Sequence, residues 1–468
     1  MTFGLIITNR SFFPSHLVTE ERNKIIFKLT KMGYEIVVLS EQDTEIGAVM
    51  TYSDAKNCAK LFAENRDKID GIIIILPNFG TETSVADVIK ISKMNVPILV
   101  QACDDDFDKL DIANRRDAFC GKLSVCNNLY QRGIKFTNTS THTCQIESEQ
   151  FSKDINYFAA VCRVVKGVST ARLGAIGARP DAFQTVRFSE KLLQASGITV
   201  SAVDLSEIIF QALALKDDDP AVVRKVTEIR LYGKIPKYIS NEKVIRQAKL
   251  CITLEEWVDA NGCDASAVQC WNSIQNNYGC AACLAMSMMG QKGKPSACEM
   301  DITGALTMYA LYLASNEPSG YLDWNNNYMD DRDKCICLHC SNFPKSFFGT
   351  DFEIGNLDVL ATTIGEEKCF GCCKAQVAPG PVTYAKITTD DKNGKIKLYV
   401  GEGEILSDKV DTVGGTALCH ISGLQKLMDY ICKNGFEHHV AMNRSHSAAV
   451  IEEALENYLG WDVYRHHE

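Results

Sequence analysis

The residues best suited to chemistry are two acidic side chains, Glu299 and Asp323, which lie 24 residues apart in otherwise apolar surroundings. His439, preceded by His438, follows 116 residues after Asp323. Two carboxylates and an imidazole suit a hard divalent cation such as Mn²⁺. Paired carboxylates beside a metal are also what proton transfer next to a carbonyl group requires. These residue types predict a metal-assisted proton-transfer site, although acidic side chains that merely cap helices would give the same pattern.

The neighbours of these residues are assigned by their local context. We select His439 as the metal ligand because Val-Ala-Met follows it, and His438 then faces a substrate or a neighbouring loop. A histidine in apolar surroundings is more often a hydrogen-bonded core residue, and this alternative stays open. Asp301 is less expected as a metal ligand, because two residues further along a predicted helix it would point away from Glu299.

A rival metal site could be built from thiols in the segments Cys335–Cys340 and Cys369–Cys373. Thiolates would favour Zn²⁺ or an iron–sulfur centre. The first segment has C-x-C spacing and the second places two cysteines side by side, and neither arrangement is typical of a zinc knuckle. The twenty cysteines are scattered through a large chain without a secretory signal, so reduced thiols are the better expectation.

The length of the chain indicates how many domains to expect, and its net charge excludes some classes of binding partner. A chain of 468 residues is expected to form two or three domains. The formal net charge of −10 argues against binding to nucleic acid or to an anionic membrane. The longest aliphatic run, Ile72–Leu76, is too short to span a bilayer, and Phe3–Thr8 is typical of a strand rather than of a signal peptide. We therefore expect a cytoplasmic protein.

The first 165 residues alternate between aliphatic strands and amphipathic helices, which predicts a parallel, doubly wound sheet. Helical spacing covers Thr19–Met32 and Ser53–Lys68, with Ser53 as the expected N-cap. Ligands of such sheets gather at the carboxyl ends of the strands, which places Asn9–Ser11 and Pro77–Gly80 beside a crevice. The predicted strands are 3–8, 35–40, 70–76 and 96–101.

The rest of the chain predicts a second α/β domain and a β-rich end. Strands are expected at 171–176 and 198–203 with a helix over 183–195 between them, and helices dominate from 219 to 315. Alternating strands at 382–389 and 395–400 flank an Asn-Gly turn, which is a strong hairpin pattern. A last helix is expected over 445–458.

The expected fold class is thus α/β, with two doubly wound, Rossmann-like domains followed by a β-rich C-terminal domain. The expected boundaries are 1–165, 166–314 and 315–468. Glu299 then belongs to the second domain, and Asp323 and His439 belong to the third.

Several segments together resemble the L-fucose/L-arabinose isomerase family, in its fucose isomerase-like branch, which includes sulfoquinovose isomerases. The segments are Pro295–Leu306 with Asp323 and His439, Asp117–Asn128, and Ala267–Trp271. The resemblance implies two α/β domains and a barrel-like C-terminal domain. It also implies a Mn²⁺-dependent aldose–ketose isomerase, assembled as a trimer or hexamer with active sites at subunit contacts. The chain departs from typical L-fucose isomerases in being shorter.

The resemblance also implies roles for individual residues. Glu299, Asp323 and His439 match the family's ligands for Mn²⁺ or another divalent cation, and the two carboxylates match its acid/base pair. Three further residues, Arg10, Gln269 and His438, resemble positions that contact the substrate. His339 matches an additional metal ligand of arabinose isomerases that fucose isomerases lack, so whether it contacts the metal or the sugar stays open.

The implied reaction converts an open-chain aldose into its 2-ketose through an enediolate. The short length, the Asn9–Pro14 loop and His339 depart from true fucose isomerases and favour the fucose isomerase-like branch that includes the sulfosugar enzymes. The expected substrate is a 6-deoxy or 6-modified hexose such as sulfoquinovose or L-fucose. Arg10 would then hold a sulfonate or a sugar hydroxyl. An isomerase of L-arabinose or D-arabinose is the first alternative. A thiol-metal structural protein or a sugar-binding protein without catalysis is the alternative of another class.

Overall fold

A computed structural model describes residues 1–467 and divides the chain into two compact units. Unit 1 comprises residues 1–166 together with 453–458, and unit 2 comprises residues 167–452 and the end of the chain from residue 459. The further division of unit 2 at residue 315 stays a prediction. No helix within residues 1–467 combines the length and the apolar character needed to cross a membrane.

Unit 1 is built on a parallel five-stranded sheet with strand order β2-β1-β3-β4-β5. Its strands are β1 (Thr2–Ile7), β2 (Glu35–Val37), β3 (Ile69–Leu76), β4 (Ile98–Ala102) and β5 (Thr137–Asn138). The helices in this part of the chain are α1 (Ser15–Lys31), α2 (Tyr52–Glu64), α3 (Glu82–Ser92), α4 (Ala118–Gln131) and α5 (Glu149–Ser169). The predicted strand–helix alternation and parallel sheet are confirmed.

The aliphatic run of β3 explains why helices cover both faces of this sheet. Successive side chains of a strand point to opposite faces. Ile72 and Ile74 pack in a core with α2, α3 and α4, whereas Ile73 and Ile75 pack in a second core with α1 and α5. Because both faces of such a strand are buried, its sequence is a continuous aliphatic run rather than an alternation of apolar and polar residues.

Unit 2 begins with a parallel four-stranded sheet in the order β7-β6-β8-β9. The strands are β6 (Arg172–Ile176), β7 (Thr199–Val203), β8 (Ala265–Val268) and β9 (Ser296–Ala297). The helices are α6 (Glu190–Ala195), α7 (Leu205–Ala214), α8 (Pro220–Tyr232), α9 (Asn241–Ala260), α10 (Ser273–Asn277), α11 (Cys283–Gln291) and α12 (Ile302–Ser315). The predicted helix over 183–195 is too long, because regular α-helix begins only after the cap at Ser189, whose side chain accepts from the Leu192 amide.

The remainder of unit 2 is a mixed nine-stranded sheet in the order β12-β13-β16-β11-β10-β17-β14-β15-β18. Its strands are β10 (Ser319–Tyr328), β11 (Asp331–His339), β12 (Glu353–Asn356), β13 (Phe370–Gln376), β14 (Gly380–Asp390), β15 (Lys395–Ile405), β16 (Gly415–His420), β17 (His439–Asn443) and β18 (Asp462–Arg465). Helices α13 (Lys345–Phe348), α14 (Asp358–Ile364), α15 (Leu424–Lys433) and α16 (Ala448–Glu452) accompany them. The predicted hairpin is confirmed, with Asp390 opposite Lys395 at the turn of β14 and β15.

One further pairing joins distant members of this sheet. Strand β15 pairs with β16 at Glu404 and Ile405, in addition to its pairing with β14. The strands β16, β11, β10, β17, β14 and β15 therefore form a closed circuit of hydrogen-bonded neighbours. This circuit brings β11, β10 and β17 side by side, and they carry His339, Asp323 and His439.

The start of α2 corrects one expectation and provides a test of the fold. Helix α2 begins at Tyr52, and its N-cap is Thr51 rather than Ser53. The Thr51 hydroxyl accepts from the Asp54 amide at 3.2 Å, and the Asp54 carboxylate accepts from the Thr51 amide at 2.8 Å. This capping box satisfies two amides that would otherwise lack partners.

We therefore expect Thr51→Ala to lower the free energy of unfolding of unit 1 by about 1 kcal/mol. The matched variant Ser53→Ala changes an exposed side chain inside the first turn and is expected to shift it by less than about 0.5 kcal/mol. Urea unfolding followed by circular dichroism measures both. Equal effects of the two substitutions would contradict the observed cap.

Candidate metal and sugar site

Three neighbouring strands and one loop bring the predicted residues together in unit 2. Asp323 on β10 lies directly opposite His439 on β17, so their side chains share one face of the sheet. His339 ends β11, the other neighbour of β10. Glu299 lies in the loop that joins β9 to α12. Residues distant in sequence thus converge because their strands are adjacent in the sheet.

The loop that carries Glu299 has an uncommon backbone. Glu299 and Met300 both have positive φ angles, 54° and 64°, although neither is glycine. Such conformations cost energy and are found preferentially where function fixes a side chain. Cys270 holds the loop, because its sulfur accepts from the Glu299 amide at 3.4 Å and its thiol donates to Glu299 Oε1 at 3.4 Å. The second carboxylate oxygen of Glu299 is left for another partner.

Two carboxylate oxygens and two imidazole nitrogens face one another. His439 Nε2 lies 3.5 Å from both Glu299 Oε2 and Asp323 Oδ1. His339 Nε2 lies 3.5 Å from Glu299 Oε2 and 4.0 Å from Asp323 Oδ1. Ligand atoms on neighbouring corners of an octahedron around an ion at about 2.1 Å would be separated by roughly 3 Å. The four distances between an imidazole nitrogen and a carboxylate oxygen therefore exceed this separation by about 0.5 to 1 Å.

The hydrogen bonding of these oxygens fits a cation. Glu299 Oε2 and Asp323 Oδ1 are both buried, and neither has a hydrogen-bond partner in the part of the chain that the structure describes. A buried carboxylate oxygen without a partner is costly. Asp323, His339 and His439 offer ligand atoms that all lie within 4.8 Å of one another, as do Glu299, His339 and Cys340. The oxygen and nitrogen donors fit a hard divalent cation, which would remove that cost.

The electrostatics of the site follow from the crowding of negative charge. Burial opposes ionisation of Glu299, but the charges of His339 and His439 outweigh it and lower the pKa of Glu299. Burial also opposes protonation of His339, but Cys340, Glu299 and Asp323 raise the pKa of His339 well above its ordinary value. Both shifts show a site that attracts positive charge.

His438 differs from the two other histidines of the site. Its side chain is 46% exposed, and its Nε2 lies 3.8 Å from Asp323 Oδ1. Burial and the neighbouring His439 lower the pKa of His438, which favours the neutral ring. A neutral imidazole can both donate and accept a hydrogen bond.

These residues form one wall of a cavity of about 370 Å³. Trp271 and Phe183 form an aromatic part of the lining, with ring centroids 5.3 Å apart in an edge-to-face arrangement. Such a volume suits a small ligand, and most of the remaining lining comes from the loops after β11 and β12 and from the loop between β15 and β16. The other lining residues are Asn325, Leu338, Cys340, Leu357, Asp358, Val359, Thr412, Val413 and Gly414.

Two residues predicted to contact the substrate do not line this cavity. Gln269 follows β8 but faces a separate cleft, where its side-chain oxygen accepts from the Ala178 amide at 2.8 Å and its amide donates to Ser273 at 3.2 Å. Arg10 lies in unit 1, after the carboxyl end of β1, where it forms an ion pair with Glu82 and stacks on the ring of Phe79. Their contacts with a substrate stay predictions.

Asp301 makes contacts that the sequence analysis did not predict. The helical premise is wrong, because Asp301 is the N-cap of α12 and lies outside the helix. Its Oδ2 atom lies 3.1 Å from His439 Nδ1. Burial opposes its ionisation, but Lys386 and the hydrogen bond with His439 lower the pKa of Asp301. A lysine in the middle of the buried run of β14 could have indicated such a buried anion.

Cys340 is the other residue that sequence reasoning placed only in a thiol cluster. Its sulfur lies 3.5 Å from His339 Nδ1. Hydrogen bonding from Cys283, together with the charge of His339, lowers the pKa of Cys340 to about 6. Burial acts in the opposite direction but is outweighed. Within residues 1–467, the segments Cys335–Cys340 and Cys369–Cys373 supply no three ligand atoms of a single metal site by themselves.

The lowered pKa of Cys340 predicts a distinctive reactivity in protein stripped of metal with a chelator. Because the thiolate is the nucleophile, alkylation of Cys340 by iodoacetamide should rise between pH 5 and 7 and then level off. Cys126 is the matched control, since it is also half-buried but burial raises its pKa, and its alkylation should still be rising above pH 8. Peptide mapping by mass spectrometry follows both, and parallel profiles would contradict the assignment.

Comparisons with known proteins identify the family of this chain. The family model for the fucose/sulfoquinovose isomerase N-terminal domain matches residues 4–169, and that for the L-fucose isomerase C-terminal domain matches residues 337–467. The chain is 27% identical over 234 residues to the sulfoquinovose isomerase of Clostridium sp. (strain MSTE9), a match covering 50% of this chain and 52% of the relative.

Two further relatives bear the same name. The sulfoquinovose isomerase of Priestia megaterium is 24% identical over 193 residues, 41% of this chain and 42% of the relative. That of Alkalicoccus urumqiensis is 28% identical over 183 residues, 38% of this chain and 40% of the relative. The chain thus spans about half the length, or less, of the curated relatives it matches. The two matching family models and these relatives show that the chain belongs to the fucose isomerase-like family, which includes the sulfoquinovose isomerases.

Proposed function

We propose that this protein is a metal-dependent aldose–ketose isomerase that interconverts an open-chain aldose and its 2-ketose through an enediolate. The observation that carries the proposal is the meeting of two carboxylates and two imidazole nitrogens on one wall of a small cavity. Two acid/base groups beside a cation are what a proton transfer between adjacent carbons requires. Membership of a family of sugar isomerases supports the same conclusion.

The proposed metal ligands are Glu299, Asp323, His439 and His339. Oxygen and nitrogen donors favour Mn²⁺ or a similar divalent cation over a thiophilic ion. The distances of 3.5 Å and 4.0 Å from His339 Nε2 to the two carboxylates support a role for His339 in metal binding rather than in sugar binding. When bound, the cation supplies Lewis acidity that polarises the carbonyl and neighbouring hydroxyl oxygens of the open-chain sugar.

The protein's own groups then move the protons. One of the carboxylates of Glu299 and Asp323 carries a proton between C2 and C1, and the other carries the hydroxyl proton between O1 and O2. Beside a bound cation both carboxyls would be ionised near neutral pH and able to accept a proton. His438, neutral and half-exposed at the edge of the cavity, is placed to hydrogen-bond a sugar hydroxyl. The aromatic wall of Trp271 and Phe183 limits the access of water.

The substrate we propose is a 6-modified hexose, with sulfoquinovose first and L-fucose second. The names of the relatives support sulfoquinovose, and the matched N-terminal region includes Arg10, whose guanidinium suits a sulfonate. Gln269 is proposed as a further sugar contact. An isomerase of L-arabinose or D-arabinose is the second candidate, favoured by the position of His339 among the ligand atoms.

The proposed context is a cytoplasmic homo-oligomer, a trimer or a hexamer. All twenty cysteines are free thiols in residues 1–467, which favours a reducing compartment. The closed circuit of six strand pairings supports a barrel-like C-terminal domain, and the helices on both faces of the first sheet support a Rossmann-like N-terminal domain.

The reaction and the substrate can be tested in one experiment. Deuterium exchange at sugar C1 and C2 is followed by NMR in D₂O with Mn²⁺, using sulfoquinovose, L-fucose, D-arabinose and L-arabinose. We expect ketose formation with exchange from sulfoquinovose, loss of both on chelation with EDTA, and recovery on addition of Mn²⁺. Exchange from an arabinose alone would shift the assignment to the second candidate. Absence of exchange from all four sugars with manganese bound would overturn the proposed isomerase.

The acid/base role is tested by Glu299→Gln, which keeps the shape of the side chain and removes its charge. We expect kcat to fall by a factor of about 10² or more, because a general base and a metal ligand are lost together. Glu317→Gln, the same change at an exposed position outside the cavity, is expected to leave kcat unchanged. Retention of more than about a tenth of the activity by Glu299→Gln would rule out the proposed role.

A further inference from the structure

A cluster of four buried residues lies behind His439, on the side away from the carboxylates of the cavity. Asp301 is at its centre, and its Oδ2 atom contacts His439 Nδ1 at 3.1 Å and Lys386 Nζ at 2.7 Å. The Tyr321 hydroxyl donates a short hydrogen bond to the same oxygen. Lys386 also contacts the Thr303 hydroxyl at 3.2 Å. These four side chains and that of His439 are at most 1% exposed, so the contacts are shielded from bulk water.

The other carboxylate oxygen of Asp301 has a different task. Oδ1 accepts from the Gly304 amide at 2.7 Å and from the Thr303 hydroxyl at 2.9 Å, which caps the start of α12. A neutral Asn or Ser caps a helix as well as Asp does. The cap therefore explains Oδ1 but explains neither the charge of Asp301 nor the buried Lys386.

The burial of this ion pair is costly. Transfer of two charges from water into a protein core is strongly unfavourable, and an apolar pair of similar volume is often as stable. Stability alone is thus a poor reason to retain a fully buried lysine opposite a fully buried aspartate. The contact with His439 offers a better reason.

The charges determine which nitrogen of His439 carries a proton. Paired with Lys386, Asp301 is a carboxylate, and a carboxylate only accepts hydrogen bonds. His439 Nδ1 must therefore donate, and in the neutral ring Nε2 then keeps its lone pair. Nε2 is the nitrogen that lies 3.5 Å from both Glu299 and Asp323. A partner on the far nitrogen that fixes tautomer and ring orientation is a general feature of histidines that bind metals.

We propose that Asp301, held by Lys386 and Tyr321, is a positioning residue that fixes the tautomer and orientation of His439 for binding of the divalent cation. This inference rests on the proposed metal site and adds to it three residues that do not touch the metal. It also assigns a role to Lys386, the buried cation of strand β14.

Asp301→Asn separates positioning from helix capping. The Asn oxygen can still accept from the Gly304 amide, whereas its amide nitrogen would donate to His439 Nδ1 and so place the ring proton on Nε2. We expect the Kd for Mn²⁺ to rise by about 10–100-fold. Since the single variant leaves Lys386 as an unpaired buried charge, Asp301→Asn with Lys386→Met serves as a neutral second variant and should show the same loss.

The probe is Mn²⁺ itself, titrated into chelator-treated full-length protein, with the free ion measured by electron paramagnetic resonance. Circular dichroism and the Tm of the metal-free protein report folding independently. The control is Asp219→Asn, the same change at the N-cap of α8, where Asp219 accepts from the Ala221 amide, and it should leave the Kd unchanged.

The outcomes distinguish this inference from the proposed function. Wild-type affinity in a folded Asp301→Asn variant, or in the folded double variant, would overturn the positioning role. Failure of the wild-type protein to bind Mn²⁺ would overturn the metal site and, with it, this inference. Loss of Mn²⁺ affinity in the variants would support positioning even if none of the tested sugars were converted.

Discussion

Two carboxylates can share a buried cavity wall only if positive charge lies between them, and this constraint governs the architecture of the site. Glu299 and Asp323 each present an oxygen that no donor within residues 1–467 satisfies. Placing like charges together in a medium of low dielectric is unfavourable, whereas a divalent cation turns the same arrangement into a strong binding site. The raised pKa of His339 expresses the same demand for positive charge. The strand pairing, the strained loop at Glu299 and the buried ion pair of Asp301 with Lys386 hold this unfavourable arrangement in place.

The fold meets the constraint by joining two kinds of rigid support. Backbone pairing of the adjacent strands β11, β10 and β17 fixes three of the four groups. Asp323 and His439 lie directly opposite each other in the pairing of β10 with β17. Glu299 comes from a loop with two left-handed non-glycine residues, held by Cys270 and followed at once by the α12 cap. Asp301 belongs to both systems, because one oxygen caps α12 and the other contacts His439 on β17. The same side chain thus ties the loop to the sheet.

Local sequence pattern predicts those features of the structure that depend on local physics. The buried strand β3 and the hairpin of β14 and β15 were predictable from the sequence. Burial on both faces and turn geometry each depend on the types of a few adjacent residues. Glu299, Asp323 and His439 could be singled out by residue type, and the structure brings them together. The helical premise used for Asp301 was wrong because α12 starts one residue later, at Ile302, and helix boundaries are poorly defined by pattern. The partnership of Lys386 with Asp301 and the turning of Gln269 toward a separate cleft depend on contacts between distant segments, which no local pattern contains.

The central claim is that one hard divalent cation binds between the two carboxylates and the two imidazoles. Anomalous diffraction from crystals grown with Mn²⁺ tests it most directly, because the anomalous signal locates the metal without reference to activity. We predict one strong peak within about 2.0–2.2 Å of Glu299 Oε2, Asp323 Oδ1 and His439 Nε2, with His339 Nε2 as a further neighbour. Cys270 and Cys298 form another group of possible ligands with Glu299. A peak at their sulfur atoms, or a fully loaded crystal without a peak among the four proposed ligands, would contradict the account.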